Sequence, residues 1–318
     1  MNKILLILLF SLSFMANAYD FKYPLSTVDM ELKKVSEHVY YVEGKPGIAT
    51  DNEGFISNAG VIITQKGIIV IDSLGSPSLA EKLVSLIREI SNLPIIEVIA
   101  THYHADHVYG LQIFEELGAK VIAPNGVDQY LNSTAAVERL DERRFSLDPW
   151  VNDKTALVYP DEIVSKTQHK NYGDVDLIIN YLGKAHSDGD LNVYIKTDGV
   201  MFSGDTIFEG RIPFLGDSDT KIWLETLNDM LKNNQIKTLV PGHGSASNNA
   251  KSTISLTRNY LKFMREQFSE GVEEMMTFDE IYSEIDWTEF EKLPAFDIGN
   301  RINAYQVFLA LEKELLEE

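Results

Sequence analysis

Three histidines and an aspartate fall within six consecutive positions of this chain, in the run Thr101-His102-Tyr103-His104-Ala105-Asp106-His107-Val108-Tyr109-Gly110. The residues before it, Ile95-Ile96-Glu97-Val98-Ile99-Ala100, are apolar and largely β-branched, the composition of a buried strand. Those after it, Leu111-Gln112-Ile113-Phe114-Glu115-Glu116-Leu117, read as a helix. A polar cluster between a buried strand and a helix calls for a mixed α and β fold, with the chemistry on the loop at the C-terminal end of the strand. In extended backbone residues i and i+2 point the same way. His102 and His104 can therefore grip one metal ion, and Asp106 and His107, where the chain turns, can face a second.

Neutral imidazole with carboxylate suits Zn²⁺, and less selectively iron or manganese. A lone loop histidine is ordinarily a solvated or hydrogen-bonded side chain, but five of the seven histidines here enter one scheme. His186 lies in Gly183-Lys184-Ala185-His186-Ser187-Asp188-Gly189-Asp190, Asp205 in Phe202-Ser203-Gly204-Asp205-Thr206, and His243 in Pro241-Gly242-His243-Gly244. Each follows a strand candidate, and glycine flanks let the backbone turn and approach closely. His38 and His169 match no motif and read as surface or core residues. Asp72, at the end of the apolar run Ile68-Ile69-Val70-Ile71, reads either as turn chemistry or as a carboxylate that orients a metal-binding histidine.

Further strands are expected over 39–43, 58–64 and 67–72, with Gln65-Lys66 as a tight turn, and over 120–123, 176–182, 191–196, 200–203 and 238–240. Ser78, three before Glu81, reads as a capping box for a helix whose stripe is Leu79, Leu83, Leu86, Ile87 and Ile90. Residues 125–151 look less regular, long enough for a loop or a helix pair near the site mouth, and Arg139, Arg143 and Arg144 among Glu138, Asp141 and Glu142 read as a solvated helix face with internal ion pairs. Asp219 caps a helix that turns Trp223, Leu227, Met230 and Leu231 inward. From about 247 the chain is helical, with a stripe of Leu256, Tyr260, Phe263 and Phe268. A second capping box at Thr277 and Glu280 follows, then a last helix bearing Ile302, Tyr305, Leu309 and Leu315.

Composition excludes several alternatives. With no cysteine, disulfides, thiolate metal sites and cysteine nucleophiles are ruled out. A net charge of -20 repels phosphate backbones and argues against a nucleic-acid partner, leaving a small-molecule substrate. Residues 265–318 hold 15 acidic and 4 basic residues, a net of -11, so the acidity need not describe the active site. This tail reads as packing and solubility, with a homodimer interface as the second reading. Lys3, the apolar run 4–14 and Ala16-Asn17-Ala18 form a signal peptide with cleavage expected after Ala18, too short to span a membrane comfortably. The expected location is periplasmic or secreted, with no stable membrane anchor once the signal is removed.

Taken in order, His102, His104, Asp106, His107, His186, Asp205 and His243 resemble the motif of the metallo-β-lactamase fold superfamily over roughly residues 35–245. The resemblance implies an α+β fold, a four-layer αββα sandwich with the metals at one edge, over residues 19–248, and a helical extension over 249–318. It implies that His102, His104 and His186 bind a first zinc ion, that Asp106, His107 and His243 bind a second, and that Asp205 bridges them. Three histidine ligands leave a position open, as in catalytic rather than structural zinc sites. Water bound there ionises near neutral pH and can attack an ester, thioester or lactone carbonyl. Asp106 is the expected proton shuttle to the leaving group. Asp205 stands where broad-spectrum β-lactamases of this fold have Cys or Ser. Their downstream basic residue is not evident in Ile207-Phe208-Glu209-Gly210, the nearest base being Arg211. The layout is similar to that of exported SoxH-type and quinoprotein-relay zinc metallohydrolases. β-Lactam hydrolysis, an iron-dependent oxygenase or oxidoreductase and a non-catalytic metal-binding protein are the competing readings.

Overall fold

The structure is a computed structural model that describes residues 22–216 and 218–317. The expected signal peptide lies outside the described residues. Among the described residues the strands form two sheets of seven and five. The first is ordered β1 (Lys33–Lys34), β2 (Val39–Val42), β3 (Ala59–Thr64), β4 (Gly67–Ile71), β5 (Ile95–Ile99), β6 (Lys120–Pro124) and β7 (Glu162–Val164). Its pairings are antiparallel from β1 to β4 and parallel from β4 to β7. The second comprises β8 (Gln168–Asn171), β9 (Asp176–Gly183), β10 (Asp190–Ile195), β11 (Val200–Phe202) and β12 (Thr238–Val240) in that spatial order. It is antiparallel except for the parallel β11–β12 pair.

The side-chain period of two divides each strand between two cores. In β4 every position is buried, Ile69 and Ile71 facing the other sheet with Ile62, Ile99, Val193 and Phe202. Ile68 and Val70 face the helices α1 (Pro77–Ile90), α2 (Ala105–Val108) and α3 (Leu111–Glu116), among Leu83, Ile87 and Ile113. Strands covered on both faces read as unbroken apolar runs, which is why this one is so apolar. On the second sheet Tyr194, Met201 and Leu239 meet the outer helices α6 (Thr220–Met230) and α7 (Ala250–Glu273) through Trp223, Leu227 and Ile254. The layers are therefore helix, sheet, sheet, helix. The later helices α8 (Phe278–Glu284) and α9 (Phe296–Glu317) share that last cluster through Ile281, Ala304, Val307 and Phe308. No helix among the described residues is long and apolar enough to cross a membrane.

The structure corrects one local expectation and sharpens two others. α1 begins at Pro77 with Ser76 as its cap, the Ser76 hydroxyl accepting from Leu79 N at 3.3 Å. Proline suits the first helical position because its missing N–H would have no partner there. Glu81 is not in a capping box; its carboxylate accepts from the backbone N–H of Lys22 at 2.7 Å and of Tyr23 at 3.2 Å. Residues 125–151 contain two helices, α4 (Val127–Leu131) and α5 (Thr134–Ser146). α5 buries only Ala136 and Leu140, so it carries no apolar period by which to recognise it. In α9, Ile302, Tyr305, Leu309 and Leu315 face outward, and Asn300, Asn303, Ala304, Val307, Phe308 and Leu311 form the buried side.

Candidate metal centre

The loops after β5, β9, β11 and β12 meet at one edge of the sandwich and bring all seven predicted donor residues together. His102, His104, His186 and Asp205 form one group, and Asp106, His107 and His243 a second, the ligand atoms within each lying within 4.8 Å of one another. Asp205 stands between them. Its Oδ1 is 3.1 Å from His107 Nε2, and its Oδ2 is 3.2 Å from His243 Nε2, 3.5 Å from His186 Nε2 and 3.9 Å from His102 Nε2. His186 Nε2 and His104 Nδ1 approach to 2.9 Å. His38 instead bonds Asp198 at 2.8 Å, and His169 lies on β8, both apart from these groups.

The outer nitrogens of three histidines are committed, and this sets which nitrogen faces the centre. His107 Nδ1 lies 2.9 Å from Asp72 Oδ2, and His243 Nδ1 lies 2.7 Å from the carbonyl of Ile56, so in both rings Nδ1–H donates outward. The Thr101 hydroxyl donates to Asp72 Oδ2 at 2.9 Å, so it accepts from His102 Nδ1–H at 3.1 Å. His102 Nε2, His107 Nε2 and Asp205 Oδ1 are left buried without a hydrogen-bond partner. Buried polar atoms are almost always paired. Convergent orphan nitrogens and a carboxylate oxygen are the donor set of a metal centre, and a divalent cation fits it. Asp72 is thus the orienting carboxylate. Its left-handed backbone, at φ 58°, turns the carboxylate back to Thr101 N at 2.7 Å, a conformation Asp tolerates better than most residues.

The two groups differ in charge. Burial, then the His107 charge, holds His102 well below the usual imidazole range, and burial with His104 pushes His186 down to about 3. Burial also disfavours the charged forms of His107 and His243, but Asp205 and Asp106 outweigh it and raise both. Burial would raise Asp106 and Asp205; the imidazolium charges of His107 and His243 hold both carboxyls below their ordinary range instead. His102 and His186 therefore present neutral imidazoles, the form a metal takes, whereas His107 and His243 must release protons to bind one.

A cavity of about 540 Å³ opens onto these residues, with Tyr103, Val127, Tyr130, Phe208 and Phe214 among its walls. Arg139, Arg143 and Arg211 also line it. These arginines were not singled out by the sequence as site residues, because only their placement aims them inward. Three further residues hold the loops. Asp190 accepts from Ala185 N and Ser187 N at 3.0 and 2.9 Å, on either side of His186. Asn58 donates to the carbonyls of Pro241 and Gly244 at 2.7 and 2.8 Å, on either side of His243. Asn303, buried in α9, donates to the Pro213 carbonyl at 2.7 Å and accepts from Leu215 N at 3.0 Å, on either side of Phe214.

A profile of the metallo-beta-lactamase superfamily matches residues 52–243, which hold both donor groups. The chain belongs to the metallo-beta-lactamase superfamily. It is a metallo-hydrolase of that superfamily, with an α+β sandwich fold. It is 24% identical over 216 residues to the type 2 metallo-beta-lactamase of Bacillus sp. (strain 170), covering 67% of this chain and 75% of that one. It is 27% identical over 180 residues to the acyl-coenzyme A thioesterase MBLAC2 of Gallus gallus, covering 53% of this chain and 62% of that one. Among solved structures, the inverting sec-alkylsulfatase Pisa1 of Pseudomonas sp. superposes with a TM-score of 0.70 at 17% identity, over 90% of this chain. The chain spans 50% of the length of that sulfatase. The metallo-beta-lactamase of Pontibacter korlensis superposes with a TM-score of 0.58 at 20% identity, over 74% of this chain and 99% of that one. At 90% of the chain, the sulfatase likeness is long enough to take in part of the helical extension.

Proposed function

We propose that this superfamily member is an exported binuclear zinc hydrolase that cleaves an ester, thioester or lactone bond in a small molecule. The observation that carries the reading is Asp205, one carboxylate within 3.5 Å of His107, His243 and His186 from both donor groups. His102, His104 and His186 would hold one zinc ion and Asp106, His107 and His243 the other, with Asp205 between. Bound zinc would supply Lewis acidity and a water acidified to near-neutral pKa. The rest falls to the chain's own residues. Asp72, Thr101 and the Ile56 carbonyl keep the imidazoles in the tautomers described, so the donors need no reorganisation. Asp106 lines the cavity with its Oδ2 3.3 Å from His243 Nε2, and its carboxylate is ionised at neutral pH. It is therefore placed to take a proton at Oδ2 and return it to the leaving group. The walls of Tyr103, Phe208 and Phe214 hold the apolar part of the substrate and limit bulk water.

A second reading, β-lactam hydrolysis, is favoured by the names of several relatives. Asp205, at the position where the resemblance puts Cys or Ser in broad-spectrum β-lactamases, tells against it. The test is hydrolysis by the mature, zinc-loaded protein of a panel of esters, thioesters, lactones, β-lactams and an alkyl sulfate, with Asp205→Ala as the blank. Turnover of an ester, thioester or lactone, lost in the variant, is expected. Turnover of β-lactams alone would replace the first reading with the second. Silence across the panel, with iron rather than zinc retained on purification, would replace both with redox chemistry. Export is checked by the mass of the secreted protein: a chain starting at Tyr19 is expected, and a retained Met1 refutes it.

A further inference from the structure

α5 presents two arginines to the cavity, and they differ from the third beside them. Arg144 is spent on structure: it bonds the carbonyls of Asn152 and Thr155 at 3.3 and 2.7 Å and Asp141 at 2.9 Å. Arg139 and Arg143 are one turn apart, so they share a helix face, and both line the cavity. Their guanidinium groups make no hydrogen bond among the described residues; each only approaches Glu142, at 3.7 and 3.4 Å. Exposed ion pairs of that length contribute little.

The carboxylates around the cavity are committed. Its lining carboxylates are Asp106 and Asp205, which belong to the donor groups, and Asp188, which is paired with Lys184 at 2.9 Å. On the same cavity, Arg211 has its guanidinium 6.0 Å from the Phe208 ring centre and no ion-pair partner among the described residues. Three of the eight arginines of a chain with net charge -20 thus converge on one cavity that no lysine lines. A cationic wall in an acidic protein selects its ligand by charge, and guanidinium selects oxyanions that can accept two hydrogen bonds.

We propose that Arg139 and Arg143 form an oxyanion-binding subsite on the cavity wall, and that the substrate is an amphiphile. Its apolar middle lies along Tyr103, Tyr130 and Phe214, and its end remote from the bond broken carries a carboxylate or another oxyanion. This rests on the hydrolase reading for which bond is broken, but not for the binding of the anion.

The test compares mono-p-nitrophenyl adipate with p-nitrophenyl hexanoate, two esters of equal chain length that differ in the terminal carboxylate. Wild type is expected to prefer the acid by about tenfold or more in kcat/KM at low salt, and 0.5 M salt to reduce the preference, as for charge-assisted pairs near solvent. In the Arg139→Gln/Arg143→Gln variant the preference falls towards unity. A preference unchanged in the variant, or no preference in wild type, overturns the proposal. If neither ester is turned over, calorimetry with adipate on the zinc-loaded proteins decides. Affinity weakened about tenfold in the variant upholds the subsite while the ester reading fails; equal affinity, or no binding to either protein, overturns the subsite. The carboxylate arm is repeated with hexyl phosphate and hexyl sulfate as competitors, and the tightest names the oxyanion.

Discussion

Asp190 opens β10 as a buried carboxylate with three donors on it: Ala185 N, Ser187 N and Ser187 Oγ, the last at 2.9 Å. Burial raises its pKa from 3.8 to about 6, against the pull of those donors and of nearby His104. The unfolded chain ionises this residue near 3.8 and the folded chain near 6, so between those values the folded state binds the extra proton. The associated stability is fully present below pH 3.8, declines as pH rises and is gone above about pH 6. A gap of about 2.2 pH units corresponds to roughly 3 kcal/mol. Asp190→Asn cannot ionise and removes this slope. The assay is urea unfolding of the metal-free wild-type and Asp190→Asn proteins across pH 3.5 to 8. The stability difference, wild type minus variant, should fall by about 3 kcal/mol through that window and then stay level. A difference independent of pH would refute the assignment of the cost to Asp190. The ionised carboxylate is retained at neutral pH, at that cost, because it holds the turn that presents His186; the variant should therefore bind zinc more weakly even where it is the more stable protein.

Other perturbations separate the supports of the centre. Asp72→Asn keeps the side-chain shape and tolerates the left-handed backbone, but removes the charge that Thr101 and His107 share. Zinc affinity, measured by chelator competition, should fall about 10–100-fold, and an unchanged affinity would refute the orienting role. Gly242→Ala drives a Cβ into Asp205 Oδ1 and the Gly204 backbone. Zinc content by mass spectrometry should drop below that of wild type, and full occupancy would show that Asp205 can move aside without loss.

How much of this was legible in the sequence depends on what each residue needs around it. The donor residues stand out because metal chemistry demands few residue types, and strand ends followed by glycine advertise where the chain can turn. The sandwich strands stand out because two covered faces leave no room for polar residues, as in Ile68-Ile69-Val70-Ile71. The Thr277–Glu280 cap is legible because its partners are three residues apart and meet without help from the rest of the fold. Ser76 and Ser78 are both plausible caps by composition, and Pro77 at the first helical position is what marks Ser76 as the one used. α5 was opaque for a deeper reason: a polar helix face has the same composition whether it meets solvent or lines a cavity, so Arg139 and Arg144 look alike until the fold separates them. In α9 the obvious apolar residues lie outside and two asparagines lie inside, since a buried amide is placed by distant partners such as Pro213 and Tyr260.

Asn303 carries a consequence in time as well as in space. The chain leaves the ribosome from its N-terminus, so every metal donor is made before the final helix. The segment that bears Arg211 and Phe214 lacks its anchor until Asn303 reaches the Pro213 carbonyl and the Leu215 amide. The wall of the cavity at Phe214 is thus held by the last helix rather than by the sheets that carry the donors, which ties the shape of the site to the docking of the acidic tail.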